Sequence, residues 1–307
     1  MKKTKKIRGV LVASVTPYLS QGVLDEQGIK DLVDYYASSG MSGVLFPSST
    51  GESLAMPQRE RIRTVEVAAK HASGRLLILG NASENNWKDA VGMCRHMADR
   101  GADVAVCMPP TFFSYSQEEL LWFFFRIADN SPIPLVVYNH MTRLPNKIEI
   151  GLLMRLREHE NIIGMKDTHN DAARLLRLYA LGVQEDFSIL CGGDSMAGYG
   201  ALLKMEMLNA LCGVCPRLFL NLYEAGREEN IKKVALLQEE VVKLMQLFSV
   251  LREGTASSSL FSQALKIALH QKGLCDTACA QMGYKLSEKD KARVREILSS
   301  VREDVNA

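Results

Sequence analysis

Lys166 stands where a short apolar run, residues 162–165, comes to an end, and Asp167 follows it. A lysine at the end of a buried strand is an expensive arrangement. Partial burial disfavours the ammonium and lowers its pKa, and an amine that is neutral near pH 7 attacks ketones. Two other groups have types that suit the same chemistry. Tyr138 ends the apolar run 135–138, and its phenol can move protons while a carbinolamine loses water. Ser48-Ser49-Thr50-Gly51 follows the run 43–46, and its hydroxyls and N–H groups can hold a carboxylate. Each feature also has a plainer explanation. Lysines snorkel from strand ends, tyrosines sit half-buried there, and polar turns cap helices. Their joint placement favours imine chemistry.

That placement depends on the elements around them. Short runs with little polar alternation recur at 9–15, 43–46, 76–79, 103–108, 135–138, 162–165, 187–191 and 207–212, as expected of strands buried on both faces. Segments with helical spacing lie between them, at 25–39, 57–72, 87–100, 117–130, 147–158, 171–181 and 195–204. Eight βα units in succession predict a parallel (β/α)8 TIM barrel, whose chemistry sits at the C-terminal ends of the strands. No GxGxxG follows the first strand, which argues against a dinucleotide site. Residues 1–216 therefore carry the barrel strands and active site. Residues 217–307 read as the last barrel helix and a C-terminal helical extension with a break near 252–258, the whole forming one continuous unit.

The chain has 307 residues, 47% of them apolar and 23% charged, with a net charge of +2. These values suit a globular enzyme and give no reason to expect nucleic acid or an acidic membrane as partner. The lysine-rich start is followed by too brief an apolar run for a signal peptide or membrane span. Seven cysteines without a secretory signal fit a cytoplasmic location. Cys212 and Cys215 form a CxxC with no second pair at zinc spacing. A metal-dependent reading would use His140, Asp167, His169 and Asp171, but no HxH pair or close histidine cluster supports it. A third reading is a binding protein on an inherited barrel; the presence of both Lys166 and Tyr138 argues against it.

With these residues in view, the sequence resembles the dihydrodipicolinate synthase/N-acetylneuraminate lyase family of Schiff-base, pyruvate-dependent aldolases over about residues 8–275. The resemblance is carried by Thr16-Pro17, Ser49-Thr50-Gly51-Glu52, Tyr138-Asn139, Gly164-Met165-Lys166-Asp167 and the Gly192 turn. It implies that Lys166 forms the imine with pyruvate and that Tyr138 is the proton-transfer phenol. Ser49, also in the proton relay, and Thr50 bind the pyruvate carboxylate beside Gly51, and Leu208 offers a backbone carbonyl. It further implies a homotetramer built as a dimer of dimers, an aldehyde as second substrate, and neither metal nor organic cofactor.

The departures bear on substrate. Phe112 aligns with a tyrosine that completes a hydroxyl relay in many members, often across a subunit interface, and a phenyl ring passes no proton. Arg143 falls where the synthases bind the acceptor's carboxylate, which favours an acidic aldehyde. Phe112 and the altered loop around Arg143 favour instead a catabolic aldolase for a 2-keto-3-deoxy sugar acid, or one of N-acetylneuraminate type. The synthase-like reading leads as the family default. Lys204-Met205-Glu206-Met207 replaces a glycine-rich stretch and implies a tighter pocket wall. Gln58 and Arg61 stand near the two histidines of lysine-inhibited members, so lysine feedback is not expected.

Overall fold

The strand runs are short because each only has to cross a barrel wall. The structure, a computed structural model, describes residues 6–20, 22–140, 144–250, 258–283 and 286–305. β1 (Val10–Ala13) leads into a small antiparallel hairpin, β2 (Tyr18–Ser20) and β3 (Val23–Leu24). The remaining strands are β4 (Gly43–Phe46), β5 (Leu77–Asn81), β6 (Val104–Cys107), β7 (Leu135–Asn139), β8 (Ile162–Asp167), β9 (Ser188–Cys191) and β10 (Glu206–Asn209). β1 and β4 through β10 form a closed parallel barrel, with β10 returning to β1. Every residue of these eight strands is buried except Leu77, which is half-buried. This is the burial that runs with little alternation lead one to expect.

Alternation is still present, but between two apolar layers. Leu11, Leu45, Leu79, Val106, Val136, Leu190 and Leu208 fill the barrel. Val10, Val12, Val44, Ile78, Val137 and Met207 face the surrounding helices. On β8 the alternation breaks once. Ile163 belongs to the inner layer, yet Met165, two residues on, belongs to the outer. The β7–β8 register slips at the same place, from Leu135 opposite Ile162 to Val136 opposite Gly164. One extra residue therefore turns the rest of β8 over. Lys166 follows the outward Met165 and points into the barrel, directly opposite Tyr138.

The helices are α1 (Glu26–Ser38), α2 (Gln58–Ala72), α3 (Trp87–Asp99), α4 (Gln117–Asn130), α5 (Ile150–Leu156), α6 (Ala172–Ala180) and α7 (Ala197–Leu202). Caps fix several starts. Asp25 accepts from the Gly28 N–H, and Ser116 and Glu119 form a capping box on α4. α5 is shorter than its sequence pattern suggests. The N–H groups of Ile148 and Glu149 are taken by the side chains of Asn139 and Gln117, which holds residues 147–149 out of the helix. The last strand also begins one residue earlier than expected and stops at Asn209, because Leu211–Gly213 closes into a 3-10 turn. The hairpin β2–β3 had no clear signal in the sequence.

Beyond Pro216 come α8 (Pro216–Arg227), α9 (Ile231–Leu244), α10 (Ser258–His270) and α11 (Glu288–Ser300). Their apolar faces, including Leu218, Leu237, Leu265 and Val294, join the outer layer in a single cluster. Residues 252–257 of the expected break lie outside the described residues, and Ser258 already begins α10.

Gly164 has a steric reason to be glycine. A Cβ there would lie 2.6 Å from the Ser188 carbonyl oxygen of β9. Gly164→Ala should therefore destabilise the fold by about 1–3 kcal/mol and displace Lys166. Gly151→Ala on α5 meets nothing within 4 Å and should gain ~0.5–1 kcal/mol. Chemical denaturation and activity of the two variants, side by side, check this.

Candidate active site

The inverted end of β8 delivers Lys166 into the C-terminal mouth of the barrel, where only 4% of it is exposed. Its Nζ lies 4.3 Å from the centroid of the Tyr138 ring. Gly192, just past β9, makes room for it. A Cβ there would come 2.8 Å from Lys166 Cε and 2.4 Å from Thr168 Oγ1. The Gly192 N–H donates to the Asp167 carbonyl at 2.8 Å, which fixes this close approach. Asp167 faces away from the cavity chemistry. Its carboxylate accepts from Arg174 Nε (2.8 Å) and from the His169 N–H (2.9 Å), anchoring the strand end.

The turn after β4 is held against β1. Ser48 Oγ donates to the Ser14 carbonyl (2.7 Å) and accepts from the Gly51 N–H (3.1 Å). Thr16 Oγ1 donates to the Gly51 carbonyl (2.8 Å). A Cβ on Gly51 would strike Thr16 Oγ1 at 2.6 Å, so the turn needs a glycine to sit this close. Ser49 and Thr50 project from it into a cavity of about 430 Å³ that also meets Tyr138, Lys166, Gly192 and Asp194. Ser49 Oγ and Thr168 Oγ1 are buried without a hydrogen-bond partner among the described residues. Buried hydroxyls left unpaired are uncommon, and two on one cavity wall mark a place meant for a ligand's polar atoms.

A second chamber of about 310 Å³ adjoins the first across Ser49 and His140 and is lined by Leu54, Met108, Leu144 and Met282. Burial pushes the Asp194 carboxyl up to about 7, although the Leu211 N–H and the Lys166 ammonium both act to lower it.

The structure thus gathers Lys166, Tyr138, Ser49, Thr50 and Gly192 around one cavity, with Gly51 buried just behind. Leu208 lies deeper, in the inner barrel layer, and Ala210 is the wall residue on that side. Phe112 is 79% exposed and stacks edge-to-face on Phe113 with centroids 4.9 Å apart, away from the cavity of its own chain. Arg143 lies outside the described residues. The Lys204–Met207 run does not tighten the pocket. Glu206 opens β10 at the opposite end of the barrel, where its carboxylate accepts from the Gly9 N–H and the Tyr223 hydroxyl. Arg61 donates to the Ser83 carbonyl and the Glu84 carboxylate, and Gln58 donates to Glu84 as well. Among the described residues no group of three or more possible metal ligands comes together, and no helix is long and apolar enough to cross a membrane.

Sequence reasoning assigned no role to several wall residues: Thr168, Asn170 and Asp194, and from beyond the barrel Met245, Phe248 and Phe261. The first three were findable, since all lie within four residues of a strand's C-terminal end. The last three carry no local signal.

A lysine buried against a tyrosine at the C-terminal mouth of a parallel barrel, beside unpaired hydroxyls, defines a class I lyase that works through a Schiff base. The chain belongs to the dihydrodipicolinate synthetase family, whose model matches residues 6–301. It is accordingly an aldolase of the dihydrodipicolinate synthase type, acting on a 2-keto acid. It is 28% identical over 302 residues to the 4-hydroxy-tetrahydrodipicolinate synthase of Gluconacetobacter diazotrophicus, covering 97% of this chain and 98% of that one. The enzyme of the same name from Phenylobacterium zucineum is 30% identical over 301 residues, covering 96% and 97%. Among solved structures, dihydrodipicolinate synthase from Bacteroides thetaiotaomicron superposes with a TM-score of 0.89 at 25% identity, over 97% of this chain and 100% of the other. A prophage protein of the family from E. coli K12, in complex with pyruvate, gives 0.87 at 24% identity, over 95% and 98%, and shares the fold.

The Asp194 carboxyl makes stability depend on pH. Its folded pKa of about 7 exceeds that of an unfolded carboxylate, near 3.9, so between these values the folded state binds the extra proton. Stability should fall as pH rises from about 4 to about 7 and then level off, by at most ~4 kcal/mol. Urea melts of Asp194→Asn should lack this component, so the variant gains on the wild type across that window. Parallel curves would show that the carboxyl titrates normally.

Proposed function

We propose that this chain joins pyruvate to an aldehyde bearing an acidic group, or runs the reverse cleavage, as a dihydrodipicolinate synthase does. The observation that carries the reading is the Lys166 Nζ held 4.3 Å from the Tyr138 ring centroid in a cavity whose Ser49 hydroxyl has no partner among the described residues. The neutral Lys166 amine attacks the keto carbon, and the resulting carbinolamine expels the former keto oxygen as water to leave an imine. Tyr138 and Ser49 carry the protons for these steps. The turn of Ser49, Thr50 and Gly51 receives the pyruvate carboxylate. Loss of a methyl proton converts the imine to an enamine, whose carbon attacks the aldehyde, and hydrolysis then frees Lys166. The acid–base and nucleophilic groups all come from the chain, so neither metal nor organic cofactor is required.

Arg143 is the candidate for the acceptor's carboxylate, and Leu208 contributes its backbone carbonyl from beneath. Phe112 points outward from its own barrel, which suits a residue that reaches a neighbour's active site in a homotetramer. Without a phenol there, the relay ends at the hydroxyls of its own chain or at water. The enzyme works in the cytoplasm.

Borohydride trapping tests the central step. Pyruvate should leave a stable adduct on Lys166 that intact mass and peptide mapping locate, and Lys166→Ala should abolish it. Tyr138→Phe should retain binding but slow turnover by ~10²–10³-fold. Failure to trap any adduct in folded protein would mean that pyruvate is not the keto partner. Condensation with aspartate semialdehyde, assayed against cleavage of 2-keto-3-deoxygluconate, identifies the acceptor.

A further inference from the structure

Glu52 shares its turn with Ser49 and Thr50, yet its carboxylate is committed to the C-terminal part of the chain. Oε1 accepts from Lys266 Nζ at 2.8 Å and from Ser262 Oγ at 3.1 Å, both on α10. Oε2 accepts from the Gln281 backbone N–H at 2.7 Å. Lys266 is wholly buried. Its Nζ also donates to the Cys279 carbonyl at 2.6 Å and sits 4.6 Å from the centroid of the Tyr18 ring. Gln281 Nε2 in turn donates to the Tyr18 hydroxyl at 3.0 Å. Burial lowers the Lys266 pKa, and the Glu52 charge opposes that shift.

Nothing in the imine chemistry uses this cluster. A buried ion pair contributes little net stability against an apolar replacement, but breaking one half leaves an uncompensated charge, so it fixes geometry strongly. What it fixes is informative. Glu52 has φ of +65°, a left-handed conformation that is uncommon for any residue but glycine. Such a backbone persists when its surroundings over-determine it. The Glu52 N–H donates to the Ser49 carbonyl at 3.1 Å, and the Ser53 N–H donates to the Ser48 carbonyl at 3.1 Å. Movement of the Glu52 carboxylate would therefore be felt directly at Ser49 and Thr50.

We propose that Lys266 is a positioning residue for 2-keto acid recognition. Acting through Glu52, it holds the Ser49–Thr50–Gly51 turn where the substrate carboxylate must dock, and so ties the C-terminal helices to substrate affinity. This rests on the reading that the turn receives the carboxylate.

The test compares Lys266→Met, Glu52→Gln, their double variant and Thr50→Val in the full-length protein, by steady-state kinetics and by the pyruvate concentration that half-saturates borohydride trapping. Lys266→Met should raise KM and the half-saturating concentration for pyruvate at least tenfold, while kcat falls less than threefold. Glu52→Gln should behave alike, and the double variant should be no worse than the poorer single. Methyl pyruvate, which lacks the anion, should show less than a twofold shift in trapping. A general loosening of the fold would shift both ketones together, and that outcome overturns the proposal. So does a Lys266→Met enzyme with unchanged half-saturation. Ser262→Ala removes one donor and leaves the ion pair intact, so it serves if Lys266→Met does not fold. It should raise KM about threefold at constant kcat, and no rise counts against the proposal. Thr50→Val separates the two levels. If it has no effect on half-saturation, the carboxylate reading falls and the proposal with it. If it weakens pyruvate while Lys266→Met and Ser262→Ala do not, only the proposal falls.

Discussion

A residue in a barrel strand faces either the lumen or the helices, and parity along the strand decides which. The active site depends on one departure from that rule. Had β8 kept its alternation from Ile163, Lys166 would point into the helical layer, among residues such as Val137 and Ile189. The slip of register beside Val136 turns the strand over and sets Lys166 opposite Tyr138 on the next strand. Gly164 on that strand, packed against the Ser188 carbonyl, and Gly192 just past β9, packed against the lysine's own side chain, are both places where a Cβ would not fit. These two glycines thus serve the direction of one side chain.

The treatment of buried polarity separates framework from site. Away from the cavity, three buried carboxylates are matched by cations. Asp167 meets Arg174, Glu52 meets Lys266, and Glu206 meets Arg227. Each pair ties together segments distant from one another, or a strand end to a helix. Around the cavity the matching is incomplete, with Ser49 Oγ and Thr168 Oγ1 left without partners among the described residues and the Asp194 carboxyl pushed toward neutrality. Two open hydroxyls and a proton-holding carboxyl on one cavity wall are available to another molecule's polar atoms.

Much of this was legible in the chain. Apolar runs of strand length, separated by helical spacing, are strong signals, and strand ends are where a barrel puts its chemistry; Lys166, Tyr138, Ser49 and Gly192 were found on that basis. What escaped detection depends on long-range geometry. The bulge in β8 has no signature in Ile-Ile-Gly-Met. Phe248 and Phe261 reach the cavity from helices far along the chain, where they look like ordinary core residues. The shortened α5 follows from side chains of Asn139 and Gln117 capturing N–H groups that the local pattern assigned to a helix. Leu208 and Ala210 are two residues apart, and only the register of β10 against β1 places the first in the lumen and the second at the wall.

The links from Glu52 to Ser262, Lys266 and Gln281 also bear on synthesis. All eight barrel strands and Lys166 are complete once residue 209 has been made, but the Glu52 carboxylate finds its last partner only at residue 281. A chain growing from the ribosome at about 5–20 residues per second holds an assembled barrel with an unneutralised acid at its mouth for several seconds. If the Ser49–Thr50–Gly51 turn receives the substrate carboxylate, a product terminated before residue 281 would carry Lys166 without the clamp that holds that turn.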